Sequence, residues 1–192
     1  MRIFLAGATG LIGTKLLPLL LAEGHEVAGM TRTAAKLPAL KAAGAEPVLC
    51  DVYDRAALTA AVTAFRPEAV MHQLTDLPDR LEQLADYLPG NGRIRTEGTR
   101  NLLDAAAAAG ATRLVVQSIA WPGGPSVEAH DRMCLDAGAS VLRYGQFYGP
   151  GTYYETALPP APRISVDEAA RRTLPFLDGP AGLFTLVEDE AA

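Results

Sequence analysis

Short apolar runs alternate along this chain with longer alanine- and leucine-rich stretches, and glycines stand at many of the joints. Residues 2–6, 26–30, 47–50, 69–73, 113–117, 140–143 and 183–187 have the length and apolar density of buried strands. Between them the pattern predicts helices over about 11–22, 38–43, 54–65, 94–109, 126–137 and 166–177. Buried strands that alternate with helices make βαβ units, and these require a mostly parallel sheet covered on both faces. Right-handed crossovers then give a doubly wound α/β sheet of Rossmann type, which binds its ligand at the carboxyl ends of the strands.

Punctuation along the chain agrees with this pattern. Gly24, Gly44, Gly110 and Gly138 fall where helices should stop in a left-handed residue. Asp54 and Ser126 stand where a side chain could cap a helix start. Pro18, inside the first helical run, should kink or shorten that helix. Residues 77–93 carry Pro78, Pro89, Gly90 and Gly92 and read as a short helix with loops, and 148–162 is another Pro/Gly-rich stretch. Both are either surface loop or substrate lid. The expected organisation is one domain over 1–192, with about 145–192 forming a reduced substrate-side region.

The first strand leads directly into Gly7-Ala-Thr-Gly-Leu-Ile-Gly13 and then into a helix. A dinucleotide pyrophosphate needs this order. Gly7 permits a tight turn, Gly10 lets amides approach the phosphates, and Gly13 lets the helix pack closely on the sheet. After the second strand, no acid stands ready to accept from ribose hydroxyls; the segment reads Gly29-Met-Thr-Arg-Thr33. Arg32 offers a permanent planar charge suited to a 2′-phosphate, so NADP(H) is expected over NAD(H). Asp51 and Val52, after the third strand, are placed to meet the adenine.

Composition narrows the partners. The 192 residues are 49% hydrophobic, carry a formal charge of −5 and contain no long basic block, which disfavours nucleic acid. Cys50 and Cys134 lack metal-type spacing and His25, His72 and His130 are scattered, so no metal site is expected. Lys15 interrupts the apolar stretch of the first helix and no cleavage site follows it, so it reads as buried helix rather than a leader or membrane segment. A cytoplasmic protein with reduced thiols is the expectation.

Several segments fall in one familiar order: Gly7–Gly13, Glu23-Gly-His-Glu-Val27, Cys50-Asp-Val52, Ala69-Val-Met-His-Gln73, Glu97-Gly-Thr-Arg-Asn-Leu-Leu-Asp104 and Val141-Leu-Arg-Tyr-Gly-Gln-Phe-Tyr-Gly-Pro-Gly151. On these the chain resembles the extended and atypical short-chain dehydrogenase/reductase superfamily, in particular its NAD-dependent epimerase/dehydratase group. The resemblance implies that the amides of Gly10, Leu11 and Ile12 hold the pyrophosphate, with Thr9 supporting the turn. It also implies that Gln73 and Leu74 lie along the nicotinamide and that Tyr144 and Gln146 border its ring. A homodimer is what the family implies, although the helix at 126–137 looks truncated. His72 reads as a satisfied core histidine.

The family's acid is a Tyr-x-x-x-Lys pair, in which the lysine charge lowers the tyrosine pKa. This chain has none: no tyrosine precedes a lysine by four residues, and Lys15, Lys36 and Lys41 all lie before the third strand. Ile119 occupies the slot of the family's catalytic serine or threonine, next to Ser118, and Arg95 replaces an asparagine. Ser118, Tyr144 and Tyr148 are the catalytic candidates left near the expected nicotinamide, each with a packing role as its bland alternative. Arg95 could stabilise an oxyanion or bind a carboxylate, and Trp121 is a loop anchor or a flat wall for a planar substrate. Three functions stay open: an NADP(H)-dependent reductase of a small, polyketide-like carbonyl compound, a non-redox isomerase or cyclase, and a non-catalytic NADP(H) sensor.

Overall fold

The computed structural model describes residues 1–78 and 80–188. Seven strands form one sheet: β1 (Arg2–Ala6), β2 (Glu26–Thr31), β3 (Glu46–Leu49), β4 (Ala69–His72), β5 (Arg113–Ile119), β6 (Ser140–Tyr144) and β9 (Gly182–Leu186). Their order is β3-β2-β1-β4-β5-β6-β9 and every neighbouring pair is parallel. The chain winds outward from β1 to β3 and then returns to lay β4 on the other side of β1. The topological switch point, where such sheets bind ligands, is therefore the crevice between the carboxyl ends of β1 and β4.

Helices cover both faces: α1 (Leu11–Ala22), α2 (Leu37–Ala42), α3 (Arg55–Phe65), α4 (Leu84–Arg93), α5 (Thr99–Ala108), α6 (Pro125–Asp136) and α7 (Val166–Thr173). Alternate strand residues divide the core between the faces. Ile3, Leu5, Met71, Val115 and Leu142 pack with Leu16 and Leu20 of α1 and Ala169 and Ala170 of α7. Phe4, Ala6 and Val70 pack with Leu58 and Val62 of α3 and Leu102 of α5. Val116 and Val141 pack with Cys134 of α6. No helix among the described residues is long and apolar enough to cross a membrane.

The structure departs from the sequence pattern at four places. Helix α1 runs unbroken through Pro18, because that residue lies on the exposed face, where water can reach the carbonyl left without a donor. Helix α6 starts at Pro125 with Gly124 (φ 74°) at its cap, so Ser126 is inside the helix rather than its cap; the Asp54 cap does form, accepting from the Ala57 amide. The stretch 84–93 is helical despite Pro89, Gly90 and Gly92, and it runs through a π turn at Ile94–Gly98 directly into α5. A small parallel ladder, β7 (Gln146–Tyr148) with β8 (Arg163–Ser165), pins the ends of the loop between them. Of the expected substrate-side region 145–192, residues 189–192 lie outside the described residues.

Candidate functional site

The glycine motif follows the carboxyl end of β1 and borders the switch-point crevice. Gly7 adopts φ 92°, and a side chain there would meet the Gln73 carbonyl oxygen at 2.6 Å. A methyl on Gly13 would lie 2.1 Å from the Gly7 carbonyl oxygen, so the first turn of α1 touches the loop backbone directly. The Gly10 amide donates to the Gly7 carbonyl (3.0 Å) within the turn. No side chain caps α1. The Leu11 and Ile12 amides make no hydrogen bond among the described residues, and they carry the positive end of a twelve-residue helix.

Beside this turn stands a cationic rim. Thr9 and Thr31 share a hydroxyl hydrogen bond (3.0 Å), which ties the glycine loop to the end of β2, and the Thr33 amide donates to Thr31 Oγ1 (3.2 Å). Arg32 is exposed and pairs with Asp76 across the crevice (2.8 Å). Lys36, on a short 3₁₀ turn, donates to the Thr9 carbonyl (3.3 Å). Sequence reasoning missed Lys36; its signal is a second cation four residues beyond Arg32. Asp51 is exposed and accepts from the Tyr53 amide, and Val52 is buried with its carbonyl held by Asn101 (3.0 Å).

Across the switch point lie Gln73 and Leu74. The Leu74 carbonyl accepts from Gln117 (2.8 Å) and its amide donates to His72 Nδ1 (3.2 Å). The Gln73 amide group is buried, and among the described residues neither its oxygen nor its nitrogen has a well-formed hydrogen bond. It lies beside the Tyr144 hydroxyl. A buried orphan amide is costly, and one at the mouth of a nucleotide crevice is accounted for by a polar ligand group that completes it. With the glycine cradle, the open α1 amides and the cationic rim, these residues fit a nicotinamide dinucleotide.

The three hydroxyl candidates do not form one constellation. Ser118 lies on the α6 face of the sheet, where it donates to Asp131 (2.5 Å); Asp131 also accepts from Arg143 (2.7 Å). Tyr144 lies on the opposite face, bonded to Thr173 of α7 (2.6 Å), and burial pushes its phenol up to about 12. Tyr148 donates to Glu188, which raises its pKa. Each hydroxyl serves its own buried or bridging network.

Behind Ser118 is a neutral polar core. Thr99 Oγ1 lies 2.9 Å from both His72 Nε2 and His130 Nδ1, and His130 Nε2 lies 2.9 Å from the Gln117 carbonyl. Burial holds both imidazoles below their ordinary range. His72 is thus a satisfied core residue. Trp121 is partly exposed on the loop from β5 to α6. The irregular segments face one another across an open cleft of about 700 Å³, lined by Arg80, Glu82, Thr152 and Tyr153. The Tyr153 hydroxyl donates to the Pro78 carbonyl (2.5 Å) and ties the two segments together.

Comparison with known proteins agrees with this geometry. A family described as NAD(P)H-binding matches residues 7–132. The 3-diazoavenalumate denitrifying reductase of a Streptomyces species is 37% identical over 219 aligned residues, covering 98% of this chain and 69% of the relative. That alignment exceeds the 192 residues of this chain, so the relative carries insertions within the matched span. The UDP-glucose 4-epimerase of Thermus thermophilus, solved with NAD, superposes with a TM-score of 0.80 at 21% identity, covering 99% of this chain and 78% of that one. The Thermotoga maritima enzyme gives 0.80 at 17%, covering 97% and 77%. At these identities the structural likeness is one of fold.

Proposed function

The chain belongs to the NAD(P)H-binding family, in the epimerase/dehydratase-like part of the short-chain dehydrogenase/reductase superfamily, and on that premise we propose that it is an NADP(H)-dependent reductase of a small planar substrate. The observation that carries the reading is the open amide cradle of Leu11 and Ile12 beside Arg32 and Lys36, with no carboxylate at the end of β2. The cradle takes the pyrophosphate and Arg32 exchanges Asp76 for a 2′-phosphate, with Lys36 beside it. Asp51 and Val52 border the adenine, and Gln73 and Leu74 line the nicotinamide.

When bound, the dihydronicotinamide supplies hydride. Reduction of a carbonyl would leave an alkoxide in need of an acid, yet Ser118, Tyr144 and Tyr148 are each committed elsewhere. Reduction at a diazonium carbon makes no such demand: a C–H bond forms, the C–N bond breaks, and dinitrogen leaves uncharged. The name of the Streptomyces relative, a reductase of a diazo compound, supports this substrate class over the carbonyl compound. Trp121 then offers a flat wall to a planar ring.

The test is calorimetric titration with NADPH and NADH, followed by NADPH oxidation and dinitrogen release on aryl diazonium substrates. NADPH should bind more tightly, and Arg32→Ala should remove roughly tenfold or more of that preference. Failure to bind either nucleotide would refute the reading. Equal affinities untouched by Arg32→Ala would remove NADP(H). Tight NADPH binding without turnover of diazonium or carbonyl compounds would leave a nucleotide sensor or a non-redox enzyme.

A further inference from the structure

We infer that Arg95 is an anion site that pairs with a carboxylate of the substrate; this rests on the reductase reading and extends it to organic acids. Arg95 is only 6% exposed, yet among the described residues its guanidinium makes no hydrogen bond and no ion pair. Burying a permanent charge is costly unless an opposite charge or several acceptors meet it. Of the titratable groups around it, the Asp131 carboxylate favours the charge through space but makes no ion pair with it among the described residues. Asp131 is already filled, one oxygen by Ser118 (2.5 Å) and the other by Arg143 (2.7 Å). His72 and His130 are held neutral by burial, and burial pushes the Cys134 thiol up to about 12. The guanidinium therefore stands among neutral groups and one carboxylate that belongs to another arginine.

Its place in the fold points the charge at the site. Arg95 lies in the π turn Ile94–Gly98, one turn before Thr99, whose hydroxyl contacts His72 at the end of β4. The Arg95 carbonyl lies 3.2 Å from Nδ1 of His130, which itself reaches β5 at Gln117. Arg95 therefore sits where the π turn and α6 meet near the ends of β4 and β5, the edge that holds ligands in this fold, with Asp131 and Cys134 of α6 near its charge. The π turn is the kind of irregularity retained at functional positions. A planar guanidinium in such a crevice matches a carboxylate, which can take two parallel N–H bonds.

Benzoate and trans-cinnamate, each against its neutral amide, are suitable probes, titrated into the protein with and without NADP⁺. Each acid should bind roughly ten- to a hundredfold more tightly than its amide. Arg95→Met should abolish that difference, leave NADP⁺ affinity unchanged, and melt at or above the wild-type temperature, since it removes a buried charge whose desolvation outweighs the attraction of Asp131. Arg95→Lys should keep part of the preference. The inference is overturned if acid and amide bind alike or not at all, or if the preference survives Arg95→Met. It is equally overturned if Arg95→Met melts well below the wild type, because the charge would then already have an internal partner. If NADP⁺ fails to bind, the cofactor reading falls, and the titrations without nucleotide still decide Arg95.

Discussion

Replacing Gly13 by alanine tests the nucleotide cradle most directly. The added methyl would lie 2.1 Å from the Gly7 oxygen and 2.9 Å from the Gly7 carbonyl carbon and Ala8 Cα. Carbon atoms pack at about 3.5–4.0 Å, so the first turn of α1 must retreat by roughly an ångström. All three obstacles are backbone, and no rotamer change relieves them. Overpacking costs about 1–3 kcal/mol, offset by up to about 1 kcal/mol from the better helix propensity of alanine. A net loss of about 1–2 kcal/mol lowers the melting temperature by roughly 2–8 °C for a chain of this size.

The effect on binding should be larger than the effect on stability. Displacing the Leu11 and Ile12 amides loses two hydrogen bonds to a charged group, each about 1.5–3 kcal/mol, and NADPH affinity should fall at least about a hundredfold. Gly24→Ala at the far end of α1 is the control. Gly24 has φ 80° and nothing within 4 Å of an added Cβ, so the cost is about 1–2 kcal/mol of left-handed strain with the cradle untouched. Thermal melts and NADPH titrations on both variants separate the two effects. If Gly13→Ala keeps NADPH affinity within about threefold, the cradle is not the nucleotide site; if Gly24→Ala loses affinity in parallel, binding merely follows global stability.

Two further outcomes follow from the polar core and the buried phenol. His72 and His130 are held below their ordinary pKa of 6.5, so the unfolded chain binds more protons in acid, and stability should fall as pH drops through about 6.5 and below. Urea unfolding near pH 7.5 and about pH 5.5 measures this; each histidine contributes up to about 1.4 kcal/mol per pH unit, His72→Gln should reduce the slope, and a flat profile would contradict neutral burial. Tyr144→Phe should cost about 1 kcal/mol through the lost Thr173 bond and change turnover by no more than about threefold, whereas a loss of about a hundredfold would make Tyr144 the acid.

What could be read from the sequence depended on how local its cause is. The inner strands were legible because a parallel sheet covered on both faces shows as continuous apolar runs. The edge strands β3 and β9 are partly exposed and were placed by the alternation with helices. The glycine cradle was legible because backbone demands act on single residues. Helix α4 was legible only as a short helix with loops: none of its residues is buried, and its proline and glycines hide how far it runs. The Ser126 cap shows the same limit: Asp54 caps its helix as expected, but Gly124 takes the cap of α6, since a serine near a helix start does not say which residue turns the chain. Partnership was the least legible property. Ser118 looks like a free hydroxyl until Asp131 is brought to it, and the sequence could offer Arg95 as an anion binder without showing that it is buried and lacks an ion-pair partner among the described residues.

These partnerships also separate holding a cofactor from acting on a substrate. Adjacent residues of one strand serve opposite faces, so Arg143 joins Asp131 and Ser118 on the α6 side while Tyr144 joins Thr173 on the α7 side. The hydroxyls that a carbonyl reductase would need near one oxygen are thereby dispersed into separate structural bonds. Among the described residues, two buried side chains left without a well-formed hydrogen bond or ion pair are different in kind: an amide at Gln73 and a cation at Arg95. An amide recognises and a guanidinium anchors, but neither donates a proton readily near neutral pH. A site whose unsatisfied groups bind and orient suits a reaction whose leaving group needs no acid, and that agreement joins the cradle, the missing Tyr-Lys pair and the solitary Arg95 in one chemical account.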